Sequence, residues 1–130
     1  MRRVLATVLI ALGTAGAIGF APAASAAEVE EIQPAAVAGR FWIFEWSEYT
    51  GSRKSYNSTD RDFRNDVWDG ESTSVDNQTT SAQNLTNQWG TLHDIHGSCS
   101  GDSFPLPPGY GVRNLGPAGF NNKASCIVFG

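Results

Sequence analysis

The chain has 130 residues, of which 41% are hydrophobic and 17% charged, and a formal net charge of −4. That length allows one domain with a modest core. The acidity opposes nucleic acid and anionic lipid, whose recognition leans on Lys and Arg, and is compatible with a cation as partner.

Residues 1–26 read as an export signal. Met1-Arg2-Arg3 gives a positive start, 4–20 is apolar but interrupted by glycines, and Ala24-Ser25-Ala26 is a small-x-small cleavage site. The apolar run is 17 residues, short of the about 20 that a spanning helix needs, which makes a membrane anchor the weaker alternative. The sequence therefore predicts a secreted, extracellular product with no membrane attachment after cleavage. Removing those 26 of 130 residues, Arg2 and Arg3 among them, leaves 104 residues with 7 basic and 13 acidic side chains, a net charge of −6. Stretch 27–39, rich in Ala, Glu and Val around Pro34, has no helical or alternating pattern. It is expected to be a flexible lead or short propeptide, with the domain proper spanning 40–130.

Phe41–Trp46 is strongly β-prone. Alternation puts Phe41, Ile43 and Glu45 on one face and Trp42, Phe44 and Trp46 on the other, and the aromatic face is expected to be the buried one. Stretch 52–75 carries mixed charges around Tyr56, Phe63, Val67 and Trp68 without a sustained 3.6-residue period, so it predicts no long helix; a single helical turn fits near 60–64. Leu85, Trp89 and Leu92 lead into a second hairpin. Pro105, Pro107, Pro108 and Gly109 confine the next part to turns or an edge before 112–115, and Ile127, Val128 and Phe129 make a last apolar strand. Short strands and frequent turns indicate an all-β, antiparallel sandwich.

Two features of this chain occur twice. Asp76-Asn77-Gln78-Thr79-Thr80-Ser81 and Asn121-Asn122-Lys123-Ala124-Ser125-Cys126 lie 45 positions apart and share one pattern: two acid-or-amide residues, two free positions, a hydroxyl, a small residue. Upstream of each, Tyr49-Thr50-Gly51 and Cys99-Ser100-Gly101 place a bulky or soft residue two positions before a glycine, and the glycines lie 50 apart. Each glycine is expected at positive φ, where a side chain would clash. Amide, carboxylate, hydroxyl and carbonyl oxygens gathered in a tight turn suit a hard cation such as Ca²⁺. Turn-closing Asx motifs without metal are the alternative.

Phe44, Tyr49 and Gly51, followed by the first hexad, resemble the Greek-key motif of the βγ-crystallin superfamily. Cys99-Ser100-Gly101 and the second hexad resemble it less closely, since His93 replaces the first aromatic and the spacing is one residue longer. The resemblance covers about 40–130 and implies a sandwich of two Greek-key motifs with two calcium sites. It implies side-chain ligands Asn77 with Thr80 and Asn122 with Ser125, and carbonyl ligands from Gln78 and Lys123. A hairpin carbonyl of the other Greek key completes each set, with Glu45 or Trp46 and Asp94 or Ile95 as candidates. Asp76 and Asn121 would brace the turns. Asp76 alone among the four Asp/Asn positions is ionised, which places the affinity in the weak extracellular range of roughly 10⁻⁵ to 10⁻³ M. Cys126 stands where the superfamily has Ser. The superfamily also includes small exported metalloprotease inhibitors and killer-toxin-like proteins. An extracellular protein target is therefore the alternative reading, with 52–68 or 104–109 as the contact loop.

Cys99 and Cys126 form the only intramolecular disulfide available, and an exported chain favours it over a zinc or catalytic thiol. The 26 residues between them give about 3 to 4 kcal/mol in the chain-entropy treatment. His93, Asp94 and His96 are read as solvent-facing hairpin residues, and the Asp60, Asp62, Asp66, Asp69 and Glu71 carboxylates as solvated loops. Trp42, Trp46, Trp68 and Trp89 are assigned mainly to core packing. No nucleophile, base and orienter can be assembled, so the sequence predicts a non-enzymatic monomer.

Overall fold

The computed structural model describes residues 28–32 and 39–130. The expected export signal 1–26 lies outside them, and among the described residues no helix is long and apolar enough to cross a membrane. Among the described residues eight strands form: β1 (Val29–Glu31), β2 (Phe41–Trp46), β3 (Thr50–Tyr56), β4 (Ser81–Asn84), β5 (Gly90–Ile95), β6 (Ser100–Leu106), β7 (Tyr110–Val112) and β8 (Cys126–Phe129). They make two antiparallel sheets, ordered β1-β7-β4-β2-β3 and β6-β5-β8. Among the described residues the helical pieces are 3-10 turns at Phe63–Asn65 and Gly116–Ala118, the first overlapping the 60–64 stretch where one helical turn was expected.

The chain is all-β, an antiparallel sandwich of two Greek-key motifs that exchange strands. β7, from the second half, pairs with β4 of the first. In return the backbone at Asp60 bridges Ile127 of β8 through a reciprocal pair of hydrogen bonds of 3.0 and 2.9 Å, supplying the stub of a fourth strand to the second sheet. Pro105 lies in β6, the edge strand, where the lack of an N–H costs no ladder bond on the open side.

The core lies between the sheets and joins Phe41, Ile43, Phe63, Trp68, Leu92, Leu106, Leu115 and Ile127, each at most 1% exposed. On β2 the face turned to the core is therefore Phe41 and Ile43; of the Trp42/Phe44/Trp46 face that alternation suggested, only Phe44 is buried. Phe44 packs against Tyr49, Trp42 lies half-buried beneath the Arg53 guanidinium, and Trp46 is 61% exposed. Trp68 is the one tryptophan wholly in the core, and Trp89 is exposed.

The lead at 27–39 needs correction as well. Val29 is buried, and β1 pairs with β7 in the register Val29↔Val112, Glu30↔Gly111 and Glu31↔Tyr110, so Val29–Glu31 is part of the first sheet. Glu30 accepts from Arg113 Nε (2.8 Å) and from the Tyr49 hydroxyl (2.9 Å), and Arg113 also pairs with Glu48. The folded unit thus begins before residue 40.

Candidate metal centre

The two hairpins repeat each other closely. β2 pairs with β3 through Trp46↔Thr50 and β5 with β6 through Ile95↔Ser100, with register shifts between Phe44 and Trp46 and between His93 and Ile95. Gly51 and Gly101 take φ of 79° and 78°, as the spacing predicted. A Cβ on Gly51 would stand 3.0 Å from the Trp46 ring, and one on Gly101 would stand 3.0 Å from Ile95 Cδ1 and strike the Asp94 carboxylate. Bare backbone is needed at both places for conformation and for space.

Each hexad is fixed to its own hairpin by its fifth residue. Thr80 N–H donates to the Phe44 carbonyl (2.9 Å) and Ser125 N–H to the His93 carbonyl (2.8 Å), which makes His93 the counterpart of Phe44. The second hexad residues, Asn77 and Asn122, both adopt left-handed φ, 56° and 57°, a region amides tolerate better than most side chains.

The hexads then bind one another. Asn77 N–H donates to the Ala124 carbonyl (3.0 Å) and Asn122 N–H to the Thr79 carbonyl (2.9 Å), a reciprocal clasp across the two Greek keys. The Ser125 hydroxyl donates to Asn77 Oδ1 at 3.1 Å. The side-chain partnership is thus between hexads: Asn77 meets Ser125, where the resemblance had implied Thr80. By the same reciprocity the Asn122 backbone meets the Thr79 carbonyl of the first hexad. Spacing along one hexad could not reveal this, because the partners lie 48 residues apart.

Asp76 braces its turn, its Oδ2 accepting from Asn77 Nδ2 (3.3 Å) and its N–H donating to Ser74 Oγ (3.2 Å). Asn121 is exposed. The Lys123 ammonium is tied to Asp102 at 3.1 Å, leaving the Lys123 carbonyl to be considered separately from its charge. Asp76 Oδ1 and Thr79 Oγ1 are shut from solvent with no hydrogen-bond partner among the described residues. A buried acceptor without a donor is costly, and a cation relieves that cost. The oxygen-only donor set of amide, carboxylate, hydroxyl and carbonyl fits Ca²⁺ and does not fit a softer metal.

Among the described residues no three His, Cys, Asp or Glu side chains converge as a metal cluster. His93 departs from its solvent-facing assignment. It is half-buried, its Nδ1 is shut from solvent without a partner among the described residues, and burial lowers its pKa. Cys99 and Cys126 are joined, as expected, with a Cα separation of 5.7 Å. Within the proposed contact loops, Phe63, Trp68, Phe104 and Leu106 point into the core.

No family model matches the chain, and no curated protein matches it. Solved structures do. One described under the evolution of the eye-lens βγ-crystallin domain fold superposes with a TM-score of 0.62 at 15% identity, covering 71% of this chain and 85% of that one. A βγ-crystallin from Ciona intestinalis gives 0.57 at 22% identity, covering 71% of this chain and 100% of that one. Spherulin 3a from Physarum polycephalum gives 0.54 at 16%, over 70% and 82%. With two interlocked Greek keys, paired hairpin glycines and paired hexads, the chain has the βγ-crystallin fold.

Proposed function

We infer that this is a secreted, non-enzymatic βγ-crystallin-like domain that binds Ca²⁺ weakly at one or two sites at the hexad end of the sandwich. The observation that carries the reading is the clasp between the hexads, which brings Asn77 Oδ1 and Ser125 Oγ to 3.1 Å from each other, next in sequence to Asp76, whose Oδ1 is buried without a partner among the described residues. One site would be held by the Asn77 amide oxygen, the Gln78 carbonyl and the Ser125 hydroxyl, with a hairpin carbonyl from Asp94 or Ile95. The other would use Asn122, the Lys123 carbonyl and Thr80, with Glu45 or Trp46. The bound ion would add charge neutralisation and a cross-link between the two Greek keys.

Binding to the folded state alone stabilises it by about 2.7 kcal/mol at a hundredfold excess over the dissociation constant. Isothermal titration of the oxidised protein lacking residues 1–26, together with melting in millimolar Ca²⁺ and in chelator, tests the reading. Heat of binding with a raised melting temperature is expected; superimposable melting curves and no heat would remove it. Action on an extracellular protein is the second reading, for which the exposed Trp46 and Trp89 offer apolar contacts. Inhibition of a metalloprotease by the Thr80→Arg/Ser125→Arg variant as strongly as by the wild type would favour it over ion binding.

A further inference from the structure

The two corners that hold the hexads share their backbone bonds to hairpin and to each other, and the strap at their sixth residue differs. In the first, Ser81 Oγ accepts from Tyr49 N–H (3.1 Å) and donates to the Trp46 carbonyl (2.5 Å), so the sixth hexad residue ties the corner to its hairpin by hydrogen bonds. In the second, Cys99 occupies the place of Tyr49. Both residues have positive φ, 50° and 58°, and both stand two positions before the hairpin glycine. Cys126 occupies the place of Ser81, sixth in its hexad and equally buried at 0% exposure. A covalent bond has taken over the position of the Ser81 strap.

That bond adjoins the oxygen pair described above. Ser125 precedes Cys126 directly, bonds His93 through its N–H, and reaches Asn77 of the opposite Greek key through its hydroxyl. We propose that Cys99 and Cys126 are positioning residues for the Asn77–Ser125 oxygen pair, and that opening their disulfide slackens this pair while leaving the Thr80 corner in place. A dithiol such as dithiothreitol opens it by attack on sulfur. The reagent gives up two electrons and two protons and closes its own disulfide, leaving two thiols on the protein. Cys99 is the accessible target, because Cys126 is wholly buried. A thiol is a weak donor and acceptor and does not reproduce the Ser81 strap.

The ion-affinity consequence rests on the calcium reading; the structural consequence does not. Two variants separate them: Cys99→Ala/Cys126→Ala, which removes the strap, and Cys99→Ala/Cys126→Ser, which offers a hydroxyl in the manner of Ser81. Without calcium, amide exchange at Asn77 and Ser125 is expected to be fast in the first variant and slowed again in the second, with Asn122 and Thr80 little changed. Equal exchange at all four amides across wild type and both variants would overturn the proposal whether or not calcium binds. With Ca²⁺ as titrant, the first variant is expected to lose about tenfold in affinity at one site only, and the second to recover it. Uniform loss at both sites, or none, counts against the proposal. Should the first variant fail to fold, Ser81→Ala carries the comparison to the other corner: selective loosening at Thr80 supports the equivalence of the straps, and loosening at both hexads overturns it.

Discussion

Glu30→Ala should destabilise the protein well beyond what a surface charge deletion costs. The Glu30 carboxylate is 14% exposed and accepts from both Arg113 Nε at 2.8 Å and the Tyr49 hydroxyl at 2.9 Å. Tyr49 stays a proton donor, since burial first and the Glu30 hydrogen bond second push its pKa up. A hydrogen bond to a charged group contributes about 1.5–3 kcal/mol, but Arg113 is 39% exposed, and solvent screening cuts its share. We therefore expect about 2 kcal/mol in all, or a fall of roughly 10 °C in melting temperature for a domain of this size. Glu48 pairs with the same arginine yet is 56% exposed, so Glu48→Ala should cost about 0–1 kcal/mol. Urea unfolding of both variants, with Arg113→Ala and the Glu30→Ala/Arg113→Ala double variant, gives the coupling energy directly. If Glu30→Ala lowers the midpoint no more than Glu48→Ala does, the N-terminal strand is not held as described.

Thr80→Arg and Ser125→Arg should each reduce the calcium-dependent rise in melting temperature, and the two together should abolish it, as differential scanning fluorimetry with and without chelator would show. Gly101→Ala should cost more than an ordinary surface substitution, about 1–3 kcal/mol, because φ is 78° and the added carbon would strike the Asp94 carboxylate. Thermal melts of Gly101→Ala beside Gly97→Ala check this, since Gly97 also has positive φ, but a carbon there meets nothing. Asp66 has its pKa raised to about 6, first by burial and then by its hydrogen bond with Asp60. Its folded-state value exceeds the unfolded one, so its contribution to stability is full below the unfolded carboxylate pKa and is lost as pH rises through about 6. Urea midpoints from pH 4.5 to 7.5 should fall for wild type and flatten for Asp66→Asn; a wild-type profile no steeper than the variant's would contradict this.

The repeated parts of the fold were legible because they depend on local chemistry. A glycine two positions after Tyr49 or Cys99 marks a backbone with positive φ wherever it occurs, and the hexads mark turns by their amides and hydroxyls. β8 was legible as an uninterrupted apolar run. β1 was not, because three residues rich in Glu have no pattern of their own and are ordered only by β7, some 80 positions away. β3 and the first half of β6, Thr-Gly-Ser-Arg-Lys-Ser-Tyr and Ser-Gly-Asp-Ser, are polar and become strands by pairing with β2 and β5. On β2 both faces carry large apolar residues, so alternation alone does not identify the core face, and choosing the more aromatic one missed Phe41 and Ile43. The bulge after Phe44 then turns Trp46 outward over Gly51. The contact between the Asn77 and Ser125 side chains was not legible, since it is decided by how the two halves dock.

The clasp between Asn77 and Ala124, and between Asn122 and Thr79, means that neither half of this chain is complete by itself. Each needs its sibling's carbonyl to close its own loop and its sibling's strand to seal its own sheet edge, at β7 for one and at Asp60 for the other. Expressed separately, either half would carry an open edge and an unfinished corner. A duplicated unit wired in this manner is bound to change as a couple: a substitution at Thr79 is felt first by Asn122, and one at Ala124 by Asn77.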